Sequence, residues 1–134
     1  MLKANFITAQ EAAEKIQDGS TLCTIGMTLV SASESILKAI EKRFEMVGHP
    51  ADITLVHSCG QSDRKDGIQH LAHEGLVKRI VGSHWGLQPR WMEMIANSQV
   101  EAYCLPQGQI AQLYRSMACG LPGKMSKVGL GTFI

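Results

Sequence analysis

Helix-patterned stretches alternate with short apolar runs along this whole chain, and that alternation is the strongest constraint on its fold. "ITAQEAAEKIQDG" predicts a helix with Thr8 as N-cap, Glu11 closing a capping box, and Gly19 just past its end. "STLCTIG", from Ser20 to Gly26, predicts a strand. "SASESILKAIEKRFE", from Ser31 to Glu45, predicts a second helix with Ser31 and Glu34 as another capping box and Ile36, Leu37, Ile40 and Phe44 as its apolar stripe. The pattern then repeats. "DITLVHS" (Asp52 to Ser58), "VKRIVGS" and "VEAYCL" read as strands, and "IQHLAHEG", "PRWMEMIANS" and "QIAQLYRSMA" read as helices between and after them.

Strands that are nearly continuous apolar runs are buried on both sides, so the class predicted is α/β, with a mostly parallel sheet and helices on both faces. With 134 residues, 45% apolar and 19% charged, one core and one domain over residues 1–134 are expected. The terminal "KVGLGTFI", from Lys127 to Ile134, reads as the opening of a further strand, which predicts an incomplete domain that self-associates through an uncovered edge or face.

Thirteen basic residues stand against 12 acidic ones, which gives no footprint for nucleic acid or an anionic membrane surface. No apolar run nears the roughly 20 residues that span a bilayer, and the N-terminus turns polar too soon for a secretory signal. A cytoplasmic protein is expected. Cys23, Cys59, Cys104 and Cys119 form no C-x-x-C pair, so reduced, buried, inert thiols are predicted rather than a zinc ribbon or redox dithiol.

"HLAHE" sets His70 and His73 three residues apart beside Glu74, but it lacks the H-E-x-x-H order, and no metal is expected. Hydrogen-bonded or solvent-facing histidines are the ordinary reading. The strand end "VHSCGQS" lacks the glycine spacing of a nucleophile elbow, and "TIGMTLVSAS" carries Gly26 alone where a dinucleotide fold needs three glycines. Gly26, Met27 and Thr28 therefore remain as a turn before a helix N-terminus, suited to an anionic or carbonyl group.

Two stretches stand out. "GSHWGLQPR" places His84, Trp85 and Gly86 after a strand, where Trp85 serves either as a core anchor or as a stacking surface. In "YCLPQGQIAQLYRSMACG", Pro106 stops a strand, and Ile110, Leu113, Tyr114 and Met117 define the apolar face of the helix that follows. Gln107 thus falls at or just before a helix N-terminus. A side-chain amide there is placed to hold a carbonyl or an oxyanion.

"ITAQEAAEKIQDGSTL", "GHPADITLVHSCGQSD", "LAHEGLVKRIVGSHWG", "LPQGQIAQLYR" and "KVGLGTFI", in this order and spacing, resemble the N-terminal portion of family I CoA-transferases, the acetate, propionate and succinyl-CoA:3-oxoacid group. The resemblance covers nearly the whole chain and is nearest to members whose two halves are fused. It implies transfer of CoA between short-chain carboxylates through an acyl-glutamyl anhydride and a glutamyl-CoA thioester, with acyl-CoA and a carboxylate as substrates and no bound cofactor. It also implies that Gln107 supplies part of an oxyanion hole, and that Gly26, Met27, Thr28, His84, Trp85 and Gly86 form the substrate wall. The family's glycine-rich loop commonly reads G-G-F, whereas this chain has "IGMT".

The nucleophilic glutamate of that family lies in the C-terminal half. Glu34, Glu41, Glu74 and Glu93 match no such context and are expected on solvated helix faces or loops. The expected partner is a homo-oligomer or a complementary C-terminal half. The rival expectation is a non-catalytic acyl- or nucleotide-binding module, or an assembly subunit lacking the nucleophile.

Overall fold

A computed structural model describes residues 4–132. Four strands, β1 (Thr21–Thr24), β2 (Ile53–His57), β3 (Val77–Gly82) and β4 (Glu101–Cys104), form one sheet in the order β1-β2-β3-β4. Every neighbouring pair is parallel. The helices are α1 (Ala9–Glu14), α2 (Glu34–Val47), α3 (Pro89–Ala96) and α4 (Gln107–Ala118), with a 3-10 helix at Gly67–Leu71 between β2 and β3.

Sequential parallel strands joined by right-handed crossovers put all of their connections on one face. That face carries the core. Leu37 and Ile40 of α2, Ile68 and Leu71 of the 3-10 helix, and Trp91 and Met94 of α3 form one cluster with Ile53, Leu55 and Ile80 of the sheet. The Trp91 indole N–H donates to the Ile68 carbonyl at 2.9 Å, so its polar edge is satisfied inside the core.

The opposite face receives α4. Strand side chains alternate, so Cys23 points away from Leu22 and the core, and Tyr114 of α4 lies beside Cys23 and Ser58. Helices therefore cover both faces. Burial pushes the Tyr114 phenol up, with the Cys23 thiol adding to it.

The capping box of α1 forms as predicted: the Glu11 N–H donates to Thr8 Oγ1 at 3.2 Å, and the Thr8 N–H donates to Glu11 Oε2 at 2.7 Å. Arg43 of α2 reaches across to the end of α1, donating to the Ala13 and Ile16 carbonyls at 2.6 and 2.8 Å. The second capping box does not form. Ser31 has φ of 63° and α2 begins at Glu34 after Ser33, while the Glu34 carboxylate accepts from the Gly67 N–H at 2.9 Å. A tertiary acceptor role has replaced the local one.

Three further expectations are corrected. The helix expected over "IQHLAHEG" is one short 3-10 turn, ending where Ala72 leaves helical geometry. Cys23 and Cys119 are exposed rather than buried. Residues 128–131 of "KVGLGTFI" form a turn rather than a strand, closed by the Leu130 N–H to Lys127 carbonyl and Thr132 N–H to Gly129 carbonyl bonds at 3.2 and 3.1 Å, and residues 133–134 lie outside the described residues. Among the described residues, no helix is long and apolar enough to cross a membrane.

Candidate functional site

Parallel strands bring all four strand-to-loop turns to the carboxyl edge of the sheet, where open α/β sheets present their ligand sites. The β2 turn is the centre of this edge. The Ser58 carbonyl accepts from Ser83 Oγ of the β3 turn at 2.5 Å. The Cys59 carbonyl takes a 2.7 Å bond from His57 Nδ1, at the end of β2 itself. The Gly60 carbonyl accepts from the Thr28 N–H of the β1 turn at 2.7 Å. Three successive carbonyls are thus held by three strands in turn.

The β1 turn is tight because Gly26 adopts φ of 140°, and a Cβ there would sit 2.9 Å from the Val30 carbonyl oxygen. Met27 and Val30 pair across the turn through bonds of 3.1 and 2.9 Å. Thr28 takes φ of 53° and its hydroxyl donates to the Met27 carbonyl at 2.6 Å. The Met27 side chain stands in solvent.

In the β3 turn, His84 packs between two glycines. A Cβ on Gly60 would lie 2.9 Å from His84 Cδ2, and one on Gly86 would lie 2.7 Å from Cε1. Trp85 is half-buried against the core, and its indole N–H has no partner among the described residues, unlike the carbonyl-bonded indole of a core anchor. Two buried amides brace the turns from below. Gln61 donates to the Thr24 carbonyl at 2.9 Å, and Gln88, with its amide oriented to suit both neighbours, donates to the His84 carbonyl at 3.1 Å and accepts from the Gln61 N–H at 3.0 Å.

Gln107 is the first residue of α4, directly after Pro106, and its side chain is exposed. The adjoining Leu105 N–H donates to the Gly82 carbonyl at 2.9 Å, which docks this turn on the β3 turn. Gln107 and the His84–Gly86 turn thus follow neighbouring strands, β4 and β3, at the same edge of the sheet. Gly26, Met27 and Thr28 follow the strand at the other edge, three strand spacings or about 14 Å away. The β2 turn bridges the interval.

His57, Gln61 and Gln88 are the residues sequence reasoning missed, and all three are fully buried. His57 had a usable signal. It continues the alternation of Ile53 and Leu55 onto the core face, where a polar residue requires a partner. Burial holds its pKa below the ordinary histidine value, against the Cys59 bond and helped by nearby His84. A carbonyl only accepts, so Nδ1 carries the proton, and Nε2 has a lone pair with no partner among the described residues.

The histidines of "HLAHE" are hydrogen-bonded, at a different place. His70 Nε2 is 2.8 Å from Glu34, its Nδ1 bonds Glu41, and His73 Nε2 is 2.9 Å from the same Glu41. Glu34 and Glu41 are thus half-buried ion-pair partners rather than solvated groups, because the 3-10 helix folds over α2. Glu74 and Glu93 are exposed as expected. Glu34, Asp66 and His70, and likewise Glu41, Glu45 and His73, have the atom types of a metal site. Lys38 Nζ lies 3.1 Å from Glu34 and 3.3 Å from Asp66, so an ammonium already supplies the cation in the first group.

A sequence profile of the Coenzyme A transferase family matches residues 6–134. Caffeate CoA-transferase of Acetobacterium woodii is 39% identical over 132 residues, covering 98% of this chain and 25% of that protein. Acetate CoA-transferase YdiF of Escherichia coli K12 is 35% identical over 130 residues, covering 96% of this chain and 24% of that protein. The crystal structure of the E. coli O157:H7 acyl-CoA transferase YdiF, a thioester complex with CoA, superposes with a TM-score of 0.88 at 34% identity, over 95% of this chain and 26% of that one. The chain spans about a quarter of the length of these relatives. The profile match over nearly every residue, together with the shared fold, shows that this chain belongs to the Coenzyme A transferase family.

Proposed function

We propose that this segment forms one wall of a CoA-transfer site, with Gln107 as an oxyanion donor and acyl-CoA and a short-chain carboxylate as substrates. The observation that carries this reading is the position of Gln107: an exposed amide on the first residue of a helix, at the carboxyl edge, after the strand that pairs with β3. A tetrahedral intermediate at the thioester carbon develops negative charge on the former carbonyl oxygen. A side-chain N–H preplaced there, next to the unpaired backbone N–H groups of a helix start, stabilises that charge more than the ground-state carbonyl.

His84, Trp85 and Gly86 then flank the reacting carbonyl. Gly26, Met27 and Thr28, at the far edge, meet a different part of an extended thioester. The carboxylate that attacks the acyl group and then carries CoA as a thioester comes from a complementary region, in the same polypeptide or a partner chain, and the assembly is oligomeric. The reading needs no cofactor beyond the CoA of its substrate. Four unpaired cysteines fit a cytoplasmic setting.

The test is to combine the protein with a glutamate-bearing C-terminal half from this family and assay exchange between acetyl-CoA and acetate, propionate or caffeate. Exchange that depends on both parts and falls sharply in Gln107→Ala supports the reading. Exchange unaffected by Gln107→Ala overturns the role of Gln107.

A further inference from the structure

We propose that His57 is a positioning residue for the transfer site: it fixes the β2 turn in the conformation that lets the β1 and β3 turns both bond to it. The inference rests on the functional reading above for its catalytic consequence, though not for its geometry. The Nδ1 bond to the Cys59 carbonyl lies between two neighbouring carbonyls, Ser58 and Gly60, that accept from Ser83 and Thr28. The Cys59 carbonyl belongs to the peptide unit that joins Cys59 to Gly60, between the peptide units that carry the Ser58 and Gly60 carbonyls. Releasing it frees ψ of Cys59 and φ of Gly60, the backbone angles that set those two carbonyls relative to one another. One imidazole therefore sets the relative placement of Thr28 and the His84–Gly86 turn.

The ring is itself fixed. It is fully buried, packs edge-on against Trp85 with centroids 6.3 Å apart, and leans over Gly82, where a Cβ would come within 2.6 Å of Cε1. Surrounded this way, it has little room for another rotamer. The neutral Nδ1–H form is the only protonation state that donates to Cys59 and leaves the buried Nε2 uncharged.

The experiment compares wild type with His57→Asn, which keeps an amide N–H near the Nδ1 position, and His57→Leu, which fills the space without a donor. In wild type at pH 7, 15N NMR should show His57 as the neutral Nδ1–H tautomer. Amide exchange at Thr28 should accelerate at least tenfold in His57→Leu and be largely restored in His57→Asn, with the core amide of Ile80 unchanged in both. When combined with the glutamate-bearing half, His57→Leu should lose at least tenfold in kcat, and His57→Asn should recover most of it.

An Nε2–H or charged His57 would overturn the proposal. So would Thr28 exchange that stays at the wild-type rate in His57→Leu, or Thr28 and Ile80 accelerating together in both variants. If wild type combined with the glutamate-bearing half shows no CoA exchange, the functional reading fails by itself, and the tautomer and Thr28 protection still decide whether His57 holds the turn.

Discussion

The imidazole of His57 occupies the space that a side chain on Gly82 would need: a Cβ there would lie 2.6 Å from His57 Cε1 and 3.0 Å from Cδ2. These residues stand side by side on β2 and β3, and the buried ring is hemmed in by Trp85. Gly82→Ala is therefore expected to destabilise the fold by about 1–3 kcal/mol through overpacking. Gly108→Ala is the control. Nothing lies within 4 Å of a Cβ at Gly108, on α4, and alanine there should stabilise by roughly 0.5–1 kcal/mol or leave stability unchanged. Urea denaturation of both variants checks the contrast, and equal effects would contradict it.

Gln107→Ala separates function from fold. The side chain is exposed and makes no hydrogen bond among the described residues, so its removal should leave stability within about 0.5 kcal/mol of wild type. In the assembled enzyme, kcat should fall roughly a hundredfold or more with KM little changed, the mark of an interaction made mainly in the transition state. A rise in KM at constant kcat would point to ordinary substrate binding instead.

The clamp between α2 and the 3-10 helix should make stability depend on pH. Burial lowers the His70 pKa, but the bonds to Glu41 and Glu34 outweigh it and leave the ring above the ordinary histidine value of 6.5. A raised folded-state pKa contributes stability that is full below about pH 6.5 and is lost as pH rises through the folded value. Glu41 behaves oppositely. Burial raises its pKa, yet His73 and His70 together hold it below the ordinary 4.5, so its contribution is present above that value and lost as pH falls through the folded one. Thermal melts should show the clamp strongest from about pH 4.5 to 6.5. His70→Leu should flatten the alkaline side of that profile, and an unchanged profile would dismiss the clamp.

Arg43 is expected to matter more for α1 than its place near the surface implies. Its guanidinium holds the Ala13 and Ile16 carbonyls at 2.6 and 2.8 Å, at the end of a helix with no basic residue in its own last turn. Hydrogen bonds from a charged donor are worth about 1.5–3 kcal/mol. Arg43→Met, which keeps the aliphatic stem, should cost an amount in that range and raise amide exchange in α1 first.

The alternation of periodicities made the fold legible, because buried parallel strands leave unbroken apolar runs and their crossover helices leave a 3.6-residue stripe. What escaped were features set by distant partners. Ser31 and Glu34 have capping-box spacing, but Gly67 claims the Glu34 carboxylate. "IQHLAHEG" has helical spacing, yet its histidines fold back on α2 and the turn tightens to a 3-10 helix. Gln107 was readable because Pro106 and the following apolar stripe mark a helix start locally. His57 is important through bonds to a turn two residues away and through the glycine on the next strand, and only the three-dimensional register brings that glycine alongside.

The 134-residue chain by itself is expected to perform no CoA transfer. The proposed chemistry needs a carboxylate that attacks the thioester and then carries CoA covalently, and an oxyanion donor does not replace it; loss of a nucleophile leaves only a small fraction of the rate. The four candidate carboxylates are poorly suited to that role. Glu34 and Glu41 are bound by His70, His73 and Lys38, Glu74 accepts from Gln99 at 3.0 Å, and Glu93 stands on the exposed side of α3. Incubation of the protein with acetyl-CoA, followed by borohydride and intact-mass spectrometry, should yield no CoA adduct and no reduced glutamyl thioester. An adduct mapped to Glu34, Glu41, Glu74 or Glu93 would mean that this segment carries its own nucleophile. No adduct, with exchange restored by a glutamate-bearing half, would establish a divided site in which this chain supplies the oxyanion donor and the wall.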